Sequence, residues 1–508
     1  MYRLLKLLIS RMAIVMVIIL LQAFAYILLW SFLSSAYIYI HMFFSIISIV
    51  VLIAVINKQG SATYKLPWVF ILLVMRFYGV IIYSLFGRVN ISKKYIKLYT
   101  GIYEDAEQWQ SNNEIIKNKI NDELIVSQSQ YIYATSKLAA FDKSKVSYFP
   151  NGETYFESLV EKIKNAKKYI FLEYFIIEEG KMWNTILDIL KEKVNQGVEV
   201  YLIYDDIGCI SRVSSKYYRK LNSYGIKTVV FNPFVPIVSA IHNNRDHRKI
   251  AIIDGKYAFT GGINLADEYI NEIHPFGKWK DSGVLLEGIA VASFMIMFIQ
   301  TYNAHATEKL DYNKYLEDIE SVDNDGFVQP YATGPKPFYN DNVGESVYLN
   351  MINQAKKYIY INTPYLIVDY HFILALKNAS KRGVDVRIMT PHIPDKKTVY
   401  LMTRSNYSEL IESGVKIYEY EPGFIHAKSM VCDDELAIVG TVNLDYRSFI
   451  HHFECGVWMY NCNCIKDIKE DFISTCEESG LLITIESAKL KFSQKMLKNL
   501  LEIFSPLL

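Results

Sequence analysis

The chain has 508 residues, which is enough for two or three folding units. Its 54 basic and 53 acidic residues give a formal net charge of +1, so no overall basic field attracts nucleic acid, and such a role would require a local patch. The cysteines show neither Cys-x-x-Cys spacing nor a secreted-domain pattern, which predicts reduced, structural thiols and a reducing cytoplasm around the soluble part. They are Cys209, Cys432, Cys455, Cys462, Cys464 and Cys476.

The N-terminal part of the chain is apolar. Residues 12–57 contain no Asp, Glu, Lys or Arg, and this run is too long for one membrane span of about 20 residues but suits two. A tight hairpin at Ser34 and Ser35 would separate them. A third run, residues 66–86, holds one charge, Arg76, which is costly in a membrane unless it is paired, faces a polar cavity or reaches the interface.

We therefore predict a membrane region over residues 1–88 with two or three apolar transmembrane helices, retained and not cleaved as a signal peptide. Basic residues cluster at the start of the chain and again where the large domain begins, and both clusters favour the cytoplasmic side. Three full spans would place the two clusters on opposite sides of the membrane, so they cannot both be cytoplasmic. Because the second cluster and the cysteines agree, we expect a multi-pass cell-membrane protein with a cytoplasmic large domain, and the side of the N-terminus stays open. The clusters are Arg3, Lys6 and Arg11, and Arg88, Lys93, Lys94 and Lys97.

An internal repeat organises the rest of the chain. Ala-Lys-Lys-Tyr-Ile occurs at residues 166–170 and again at 355–359, each time after a helical pattern and at the start of an apolar strand. Gly-Val-Glu-Val at 197–200 recurs as Gly-Val-Asp-Val at 383–386, again leading into a strand. Strands that alternate with helices predict βαβ units and a mostly parallel sheet in each half. The predicted fold class is α/β, as a duplicated α/β sandwich.

The predicted halves cover residues 148–325 and 326–486. A polar connector over residues 89–147, with a helix over 104–125, would join the first half to the membrane region.

Two longer motifs carry the chemistry. Each has the form His-x-Lys-x-x-x-x-Asp, and each is followed at the same spacing by a small-residue turn and an asparagine. Two copies in register are a specific signal. The members are His247, Lys249, Asp254 and Asn264 in the first half, and His426, Lys428, Asp433 and Asn443 in the second.

These residue types suit a phosphodiester. Imidazole titrates near neutrality, so a histidine can attack phosphorus or carry a proton, and a lysine two residues along a strand points the same way. The reaction needs a nucleophile on one side of phosphorus and an acid on the other, and two motifs facing each other across a pseudo-twofold axis provide both. The lysines would hold the nonbridging oxygens and the asparagines would add neutral donors. No carboxylate cluster or His-Glu-x-x-His pattern indicates a metal, so we expect no metal or other cofactor.

Each motif histidine has a candidate orienting carboxylate downstream of it. Asp281 follows His247 and Glu454 follows His426. A carboxylate on one ring nitrogen fixes the tautomer and leaves the other nitrogen free to attack or to donate a proton.

The motif aspartates and one serine have less direct roles. Asp254 and Asp433 belong to the catalytic motifs, but they end strands just before the glycine turn, so we expect them to fix the adjoining loop. For Ser448, a phosphate contact and a turn cap both stay open, and its position favours the cap.

The tail, residues 487–508, predicts an amphipathic helix. Such a helix lies on an anionic membrane surface or packs against the domain, and its periodicity does not choose between these interpretations. Its apolar side has Leu490, Leu497, Leu501 and Phe504, and its lysines are Lys489, Lys491, Lys495 and Lys498.

The paired motifs resemble those of the phospholipase D superfamily, and the membrane segments and flanks are similar to bacterial cardiolipin synthases over nearly the whole length. Three departures stand out: Asp246 and His452 each replace a common asparagine, and an additional apolar run precedes the usual two. The similar segments are residues 85–88, 173–175, 244–249, 261–269, 440–449 and 505–508.

The resemblance implies a duplicated phospholipase D-like fold and a phosphatidyltransferase. Such an enzyme moves a phosphatidyl group from one phosphatidylglycerol to another, releasing glycerol and forming cardiolipin through a phosphatidyl-histidine. We predict His247 as the nucleophile and His426 as the acid and base, although the near symmetry of the halves leaves this order open. Phosphatidylglycerol and cardiolipin in the membrane are the expected partners, nucleic acid is not, and the oligomeric state is open.

Two alternatives remain within the superfamily: phospholipase D-type hydrolysis to phosphatidic acid, and phosphatidyl transfer to another alcohol. The motifs cannot separate these activities. A nuclease is disfavoured by the near-zero net charge and the apolar segments, and a non-enzymatic scaffold by the presence of both complete motifs.

Overall fold

The structure, a computed structural model, describes residues 37–58, 62–87, 93–109, 113–234, 243–317, 319–323 and 325–505, together with positions 20, 24 and 27. The chain divides into two compact units. The smaller unit is Met1–Ile91 with Phe234–His242, and the larger unit is Ser92–Pro233 with Asn243–Leu508.

The α-helices of the described residues are numbered in chain order. They are α1 (Tyr37–Asn57), α2 (Ala62–Val74), α3 (Arg76–Ile82), α4 (Lys93–Glu107), α5 (Glu114–Lys119), α6 (Glu123–Ser136), α7 (Gly152–Lys164), α8 (Lys181–Asn195), α9 (Tyr217–Ser223), α10 (Val291–His305), α11 (Tyr312–Leu316), α12 (Val343–Gln354), α13 (Tyr370–Lys381), α14 (Lys397–Ser405), α15 (Tyr407–Glu412), α16 (Tyr446–Ile450), α17 (Cys464–Ser479), α18 (Ile485–Ala488) and α19 (Phe492–Phe504).

The strands are numbered in the same way. They are β1 (Ser144–Phe149), β2 (Tyr169–Tyr174), β3 (Glu199–Asp205), β4 (Lys227–Phe231), β5 (Arg245–Asp246), β6 (Lys249–Ile253), β7 (Tyr257–Gly261), β8 (Lys278–Lys280), β9 (Gly283–Gly288), β10 (Phe327–Thr333), β11 (Tyr358–Asn362), β12 (Leu366–Ile367), β13 (Asp385–Pro391), β14 (Lys416–Tyr420), β15 (Gly423–Ile425), β16 (Ser429–Cys432), β17 (Leu436–Gly440), β18 (Leu444–Asp445), β19 (His452–Tyr460) and β20 (Gly480–Leu482).

The smaller unit contains helices α1 to α3 and a π-helix at Tyr83–Gly87. The third apolar run is interrupted at Met75, whose φ of −120° and ψ of 57° are not helical, so α2 and α3 are separate helices. Arg76 is the first residue of α3, and its Nη1 donates to Oγ of Ser45 at 3.4 Å. The core of this unit contains Val55, Leu72, Val80 and Tyr83.

Among the described helices, none has both the length and the apolar character that a membrane crossing needs. Residues 12–36, apart from positions 20, 24 and 27, lie outside the described residues, and so does the hairpin expected at Ser34 and Ser35. The membrane region over residues 1–88 therefore stays a prediction.

The larger unit contains two sheets with the same strand order. The first sheet runs β1-β9-β7-β6-β2-β3-β4 and the second β10-β19-β17-β16-β11-β13-β14-β20. Each strand of the first sheet has a counterpart at the same place in the second, so the predicted duplication of an α/β fold is confirmed. One core cluster includes residues from both sheets, which makes the two halves a single packed unit.

The prediction of mostly parallel sheets was wrong. Within the two strand orders given above, parallel pairing is limited to β2, β3 and β4 and their counterparts β11, β13 and β14, and the remaining neighbours are antiparallel. The reason is the short turn after each motif strand. Asp254 and Gly255 have φ of 54° and 66°, and a tight turn with positive φ returns the chain beside itself as an antiparallel hairpin.

The helix predicted over residues 104–125 was also wrong, because the chain forms α4, α5 and α6 there. The carboxylate of Asp122 accepts hydrogen bonds from the backbone N–H groups of Leu124 and Ile125, which starts α6 at this point. Gln329 of β10 donates through Nε2 to the carbonyl of Ser129 at 3.2 Å. The predicted connector is therefore packed against the second half.

The predicted tail helix is α19, at Phe492–Phe504, which follows the short helix α18. None of its residues is buried, and Phe492 and Met496 are 80% and 59% exposed. An apolar side therefore faces away from the core of the larger unit.

Candidate active site

Each motif histidine is fixed by a strand from the other half. β5 runs parallel to the start of β19, and the backbone N–H of His247 donates to the carbonyl of Phe453 at 2.9 Å. In the same way, β15 runs beside β8, and the N–H of His426 donates to the carbonyl of Lys280 at 2.7 Å. The two motifs therefore exchange strands across the unit.

This exchange corrects the predicted assignment of the carboxylates. Nδ1 of His247 lies 2.9 Å from both carboxylate oxygens of Glu454, and Nδ1 of His426 lies 2.7 Å from Oδ2 of Asp281. Sequence order pairs His247 with Asp281 and His426 with Glu454, whereas the structure crosses the pairs. Each ring turns Nδ1 to a carboxylate, which leaves Nε2 for a substrate.

Each carboxylate is held in turn, but by different groups. Oγ1 of Thr441 donates to Glu454 at 2.5 Å, and the backbone N–H of Ser282 donates to Asp281 at 2.8 Å. Gly262 occupies the position equivalent to Thr441, and a β-carbon there would overlap Oδ1 of Asp281. Thr441 lies in the small-residue turn before Asn443, and its contact with the acid was not predicted from the sequence.

Both motif histidines are buried and neutral. Burial lowers the pKa of His247 well below its usual value, and the charges of Lys249 and Lys428 lower it further. Burial, with the charge of Lys428, lowers the pKa of His426 to about 4 although Asp281 opposes this effect. A neutral ring with Nδ1–H on a carboxylate has its lone pair at Nε2, the form that attacks an electrophile.

The motif lysines are buried beside these rings. Nζ of Lys249 donates to the carbonyl of His247 at 2.6 Å, and Nζ of Lys428 donates to the carbonyl of His426. Burial lowers the pKa of Lys249 to about 8 and that of Lys428 to about 7. An ammonium has three N–H donors, so each lysine retains donors beyond the one bonded to the histidine carbonyl, and the contact with phosphate oxygens stays a prediction.

The motif asparagines differ between the halves. Nδ2 of Asn264 donates to the hydroxyl of Tyr269 at 2.7 Å, and its Oδ1 accepts from the N–H of Ile176 at 3.0 Å. Oδ1 of Asn443 is buried and has no hydrogen-bond partner among the described residues. Ser448 stands five positions after Asn443, as Tyr269 does after Asn264, and Oγ of Ser448 is likewise buried without a described partner.

The interpretation of Ser448 as a turn cap was wrong. Asp445 supplies the cap of α16, because its Oδ1 accepts from the backbone N–H of Ser448 at 2.7 Å. The Ser448 hydroxyl itself is free for another partner, so the phosphate contact stays a prediction.

Asp254 and Asp433 each hold a loop, but it is a loop distant in sequence and not the adjoining one that we expected. Asp254 accepts from the backbone N–H groups of Lys167, Lys168 and Tyr169 at 2.7, 2.7 and 3.0 Å. Asp433 accepts from those of its repeat counterparts at 2.7, 2.8 and 2.8 Å. Each motif aspartate therefore ties the end of β6 or β16 to the Ala-Lys-Lys-Tyr-Ile segment, and a direct role in proton transfer stays untested.

Two arginines near the first motif were missed by the sequence analysis. Arg245 forms a buried bidentate pair with Asp205, through Nε and Nη2 at 2.8 to 3.1 Å. Arg248 donates through Nε to Asp246 at 2.9 Å, so the aspartate that replaces the usual asparagine has a charged partner. These pairs hold β5 in place, and no motif signal marked them.

Aromatic rings enclose both histidines. The ring of Phe175 lies 4.9 Å from that of His247, and the ring of Trp279 lies 5.3 Å from that of His426. These contacts explain why the imidazoles are desolvated, and a desolvated site strengthens the electrostatic interactions of a bound phosphate.

His452 lies beside the first histidine. Its ring centroid is 5.4 Å from that of His247, and its Nδ1 is 3.6 Å from Oε1 of Glu454. Burial lowers the pKa of His452 to about 3, so this ring is also neutral. Within the described part of the chain, one group of three histidine, cysteine or carboxylate side chains is close enough to hold a metal ion, and it consists of His247, His452 and Glu454. Their sequence spacing gave no metal signal.

The sequence matches a family described as "Cardiolipin synthase, PLD-like domain" in two segments, residues 159–274 and 348–476. Each segment contains one of the two motifs. The repeat that organises the fold is therefore also the unit that the family match detects twice.

Curated relatives match over most of the chain. An uncharacterized protein of Streptococcus mutans is 46% identical over 75% of this chain and 82% of its own length. Cardiolipin synthase 2 of Bacillus anthracis is 34% identical over 89% of this chain and 88% of its own length. A cardiolipin synthase of Staphylococcus aureus strain Mu50 is 33% identical over 89% and 92%.

A solved structure shares the fold. The phosphatidylserine synthase of Haemophilus influenzae Rd KW20 aligns with a TM-score of 0.57 over 76% of this chain and 98% of its own, at 16% identity. At that identity the likeness concerns the arrangement of the helices and strands.

Proposed function

The chain belongs to the phospholipase D-like family of cardiolipin synthases, and from this premise we propose that it joins two phosphatidylglycerols into cardiolipin and glycerol. The observation that carries the proposal is the crossed pair of buried, neutral histidines, each with Nδ1 on a carboxylate of the other half. The arrangement provides two Nε2 atoms and two buried lysines for one phosphodiester.

In the first step, Nε2 of His247 bonds to phosphorus while the bond from phosphorus to the glycerol oxygen breaks. His426 gives that oxygen a proton, so neutral glycerol leaves and a phosphatidyl-histidine remains. The ammonium groups of Lys249 and Lys428 offset the negative charge on the nonbridging oxygens. The side-chain amides of Asn443 and Asn264 are expected to donate hydrogen bonds to the same oxygens.

In the second step, His426 takes the proton from a glycerol hydroxyl of a second phosphatidylglycerol. The resulting oxygen bonds to phosphorus and displaces His247, which restores the neutral imidazole. The same phosphorus thus changes one oxygen ester for another, and no water is consumed.

The pKa values support this division of labour. The acid must hold a proton when the first substrate is bound, and an anionic phosphodiester favours the protonated form of a nearby histidine. Burial and the charges of Lys249 and Lys428 keep the pKa of His247 well below the usual value, whereas at His426 Asp281 opposes the effect of burial and of the same two lysines. His247 is therefore the better neutral nucleophile and His426 the better acid.

We propose that the protein works at the surface of the cell membrane from the cytoplasmic side. Both substrates carry two acyl chains, so the site must open where lipids are present. The apolar residues 12–57 and 66–86 would anchor the chain, and the exposed apolar side of α19 would rest on the lipid. The six cysteines are free and buried, as a reducing compartment favours.

The test is a product assay with the full-length chain in liposomes that contain phosphatidylglycerol labelled in the glycerol headgroup. Equal amounts of cardiolipin and labelled free glycerol would support the proposal. Phosphatidic acid without cardiolipin would contradict it and indicate that water is the acceptor, whereas a phosphatidyl ester of another added alcohol would indicate a different transferase.

A further inference from the structure

His452 is a buried polar side chain that the proposed reaction does not use. It is 8% exposed, and neither ring nitrogen has a hydrogen-bond partner among the described residues. A buried polar group without a partner is costly, and native proteins retain few of them. Two unpaired nitrogens beside the nucleophile therefore call for a ligand.

The neighbours of His452 are themselves metal-binding groups. The available donor atoms of His247, His452 and Glu454 all lie within 4.8 Å of one another. In a tetrahedral zinc site with bonds of about 2.0–2.1 Å, donor atoms lie about 3.3 Å apart. The observed separations from Oε1 of Glu454, 2.9 Å to Nδ1 of His247 and 3.6 Å to Nδ1 of His452, are on either side of that value.

We propose that His247, His452 and Glu454 form an inhibitory site for a divalent transition-metal ion, represented by Zn²⁺. Two imidazole nitrogens and one carboxylate oxygen favour Zn²⁺ over Mg²⁺ and Ca²⁺, which prefer oxygen ligands. Thr441 holds the other oxygen of Glu454, so the carboxylate is already oriented. The inhibitory role rests on the proposed function, and the ion binding does not.

The ion would inhibit by changing the tautomer of His247. In the free protein the Nδ1 proton faces Glu454, and the lone pair is at Nε2. A metal at Nδ1 replaces the proton there and binds the Nδ1 lone pair, so the single proton of the neutral ring is carried by Nε2 after exchange with solvent. The ring keeps one proton and no charge changes on it, but the atom that attacks phosphorus has lost its lone pair.

The local charges limit the affinity. The positive charges of Lys249 and Lys428 oppose the binding of a metal cation, whereas the carboxylates of Glu454 and Asp281 favour it. We therefore expect reversible inhibition by added Zn²⁺ and not a permanently bound ion.

The decisive variant is His452→Asn, which keeps a polar side chain but removes an imidazole ligand. The matched control is His392→Asn, because Nδ1 of His392 also lies 2.9 Å from a glutamate, Oε2 of Glu419, outside this site. Full-length proteins purified without a histidine tag would be titrated with Zn²⁺ and, separately, with Mg²⁺ during cardiolipin formation.

We expect Zn²⁺ but not Mg²⁺ to inhibit the unchanged chain and His392→Asn. His452→Asn should retain basal activity and need about tenfold more Zn²⁺, or more, for the same inhibition. Equal sensitivity of His452→Asn and the unchanged chain would overturn the proposal.

A second measurement is independent of catalysis. Co²⁺ replaces Zn²⁺ in such sites and gives visible absorption bands when it is bound tetrahedrally. The bands should appear with the unchanged chain and His392→Asn and be absent from His452→Asn and His452→Gln. Bands without any cardiolipin formation would support the metal site and contradict the proposed function, whereas identical spectra for all four proteins would overturn the metal site.

Discussion

The two halves of the larger unit have the same strand order but unlike surroundings for their motif residues. In the first half, Asn264 is bonded at both ends of its amide, to Tyr269 and to the N–H of Ile176. In the second half, Asn443 and Ser448 have oxygens with no partner within the described residues. A duplicated fold has therefore kept two sets of reactive groups, but of the two motif asparagines only Asn443 has an amide oxygen without a partner among the described residues.

The acids differ in the same way. Glu454 is held by the Thr441 hydroxyl and has His452 beside it, whereas Asp281 fits against Gly262 and a backbone N–H. The difference teaches that near symmetry of the chain does not make the two histidines equivalent. The predictions below test that inequality, in order of decreasing effect.

Replacement of either motif histidine should have the largest effect. His247→Ala and His426→Ala should each reduce cardiolipin formation by about 10⁴-fold or more, because each removes a group that the reaction requires. The variants should differ with a phosphatidyl donor that releases p-nitrophenol, a leaving group that needs no acid. His426→Ala should then give a burst of p-nitrophenol and a covalent adduct detectable by mass spectrometry, and His247→Ala should give neither. A burst from His247→Ala alone would reverse the two roles.

Replacement of the two orienting carboxylates, Glu454 and Asp281, should distinguish the nucleophile from the acid in the same way. Glu454→Gln and Asp281→Asn should each lower turnover by about 10²–10⁴-fold, since an amide no longer fixes the imidazole tautomer. Glu454→Gln should slow the p-nitrophenol burst because it acts on His247. Asp281→Asn should leave the burst rate nearly unchanged and slow the reaction of phosphatidylglycerol. If the two effects were exchanged, the pairing in solution would follow sequence order.

The lysines predict a pH dependence. Each is cationic below its pKa, so raising the pH through about 7 removes charge from Lys428, and through about 8 from Lys249. We expect kcat/KM for phosphatidylglycerol to fall above neutrality, by up to about tenfold per pH unit for each lysine. Lys428→Arg, which stays charged, should move the first decline to higher pH. A profile that is flat to pH 9 in the unchanged chain would contradict this assignment.

The motif aspartates should affect stability equally in the two halves. Asp254→Asn and Asp433→Asn each weaken three hydrogen bonds to backbone N–H groups and should lower the free energy of unfolding by about 1–3 kcal/mol. Asp188→Asn is the control, because its carboxylate is exposed and, among the described residues, forms an ion pair with Lys191 on the surface. Thermal unfolding of the three variants measures this, and a large difference between the two motif variants would mean that the loops are not equivalent.

The smallest effect should come from α19, which follows the second half and has no counterpart after the first. The native cysteines are buried, so a spin label at Met496→Cys would report on this helix selectively. In liposomes the label should be accessible to oxygen and protected from a water-soluble nickel chelate, whereas a label at Glu502→Cys, on the polar side, should show the reverse. Replacing Phe492, Met496 and Leu500 by serine should reduce activity modestly on liposomes and not in detergent. If the nickel chelate reached both labels equally, this would favour the alternative that α19 packs against the domain and does not lie on the lipid.

Several features of the candidate site were predictable because they depend on short stretches of chain. The spacing from His247 to Lys249 places both on one side of a strand start, and the repeat of that spacing at His426 predicts a second copy. The end of β6 before Asp254 also follows from local chemistry, since an aspartate followed by a glycine tolerates the positive φ of a tight turn. These inferences needed no knowledge of what lies across the unit.

Other features depend on contacts between distant segments. The mostly parallel sheets were mispredicted because the alternation of helices and strands is a local pattern, while the pairing of β6 with β2 and β7 depends on how the hairpin folds back. The three helices α4 to α6 replaced one predicted helix because Asp122 begins α6 and the side chain of Gln329 bonds to its backbone. Neither interaction leaves a periodic signal in the sequence.

The sequence by itself determined the reactive groups, their duplication and the family to which the chain belongs. Only the tertiary structure decided which acid serves which histidine, because β5 pairs with β19 and β15 with β8 across the two halves. It also decided that Asn443, Ser448 and His452 are buried with unpaired atoms. The hydrogen bonds from His426 to Asp281 and from His247 to Glu454 join residues 145 and 207 positions apart, so they depend on the packing of both sheets and cannot be read from spacing.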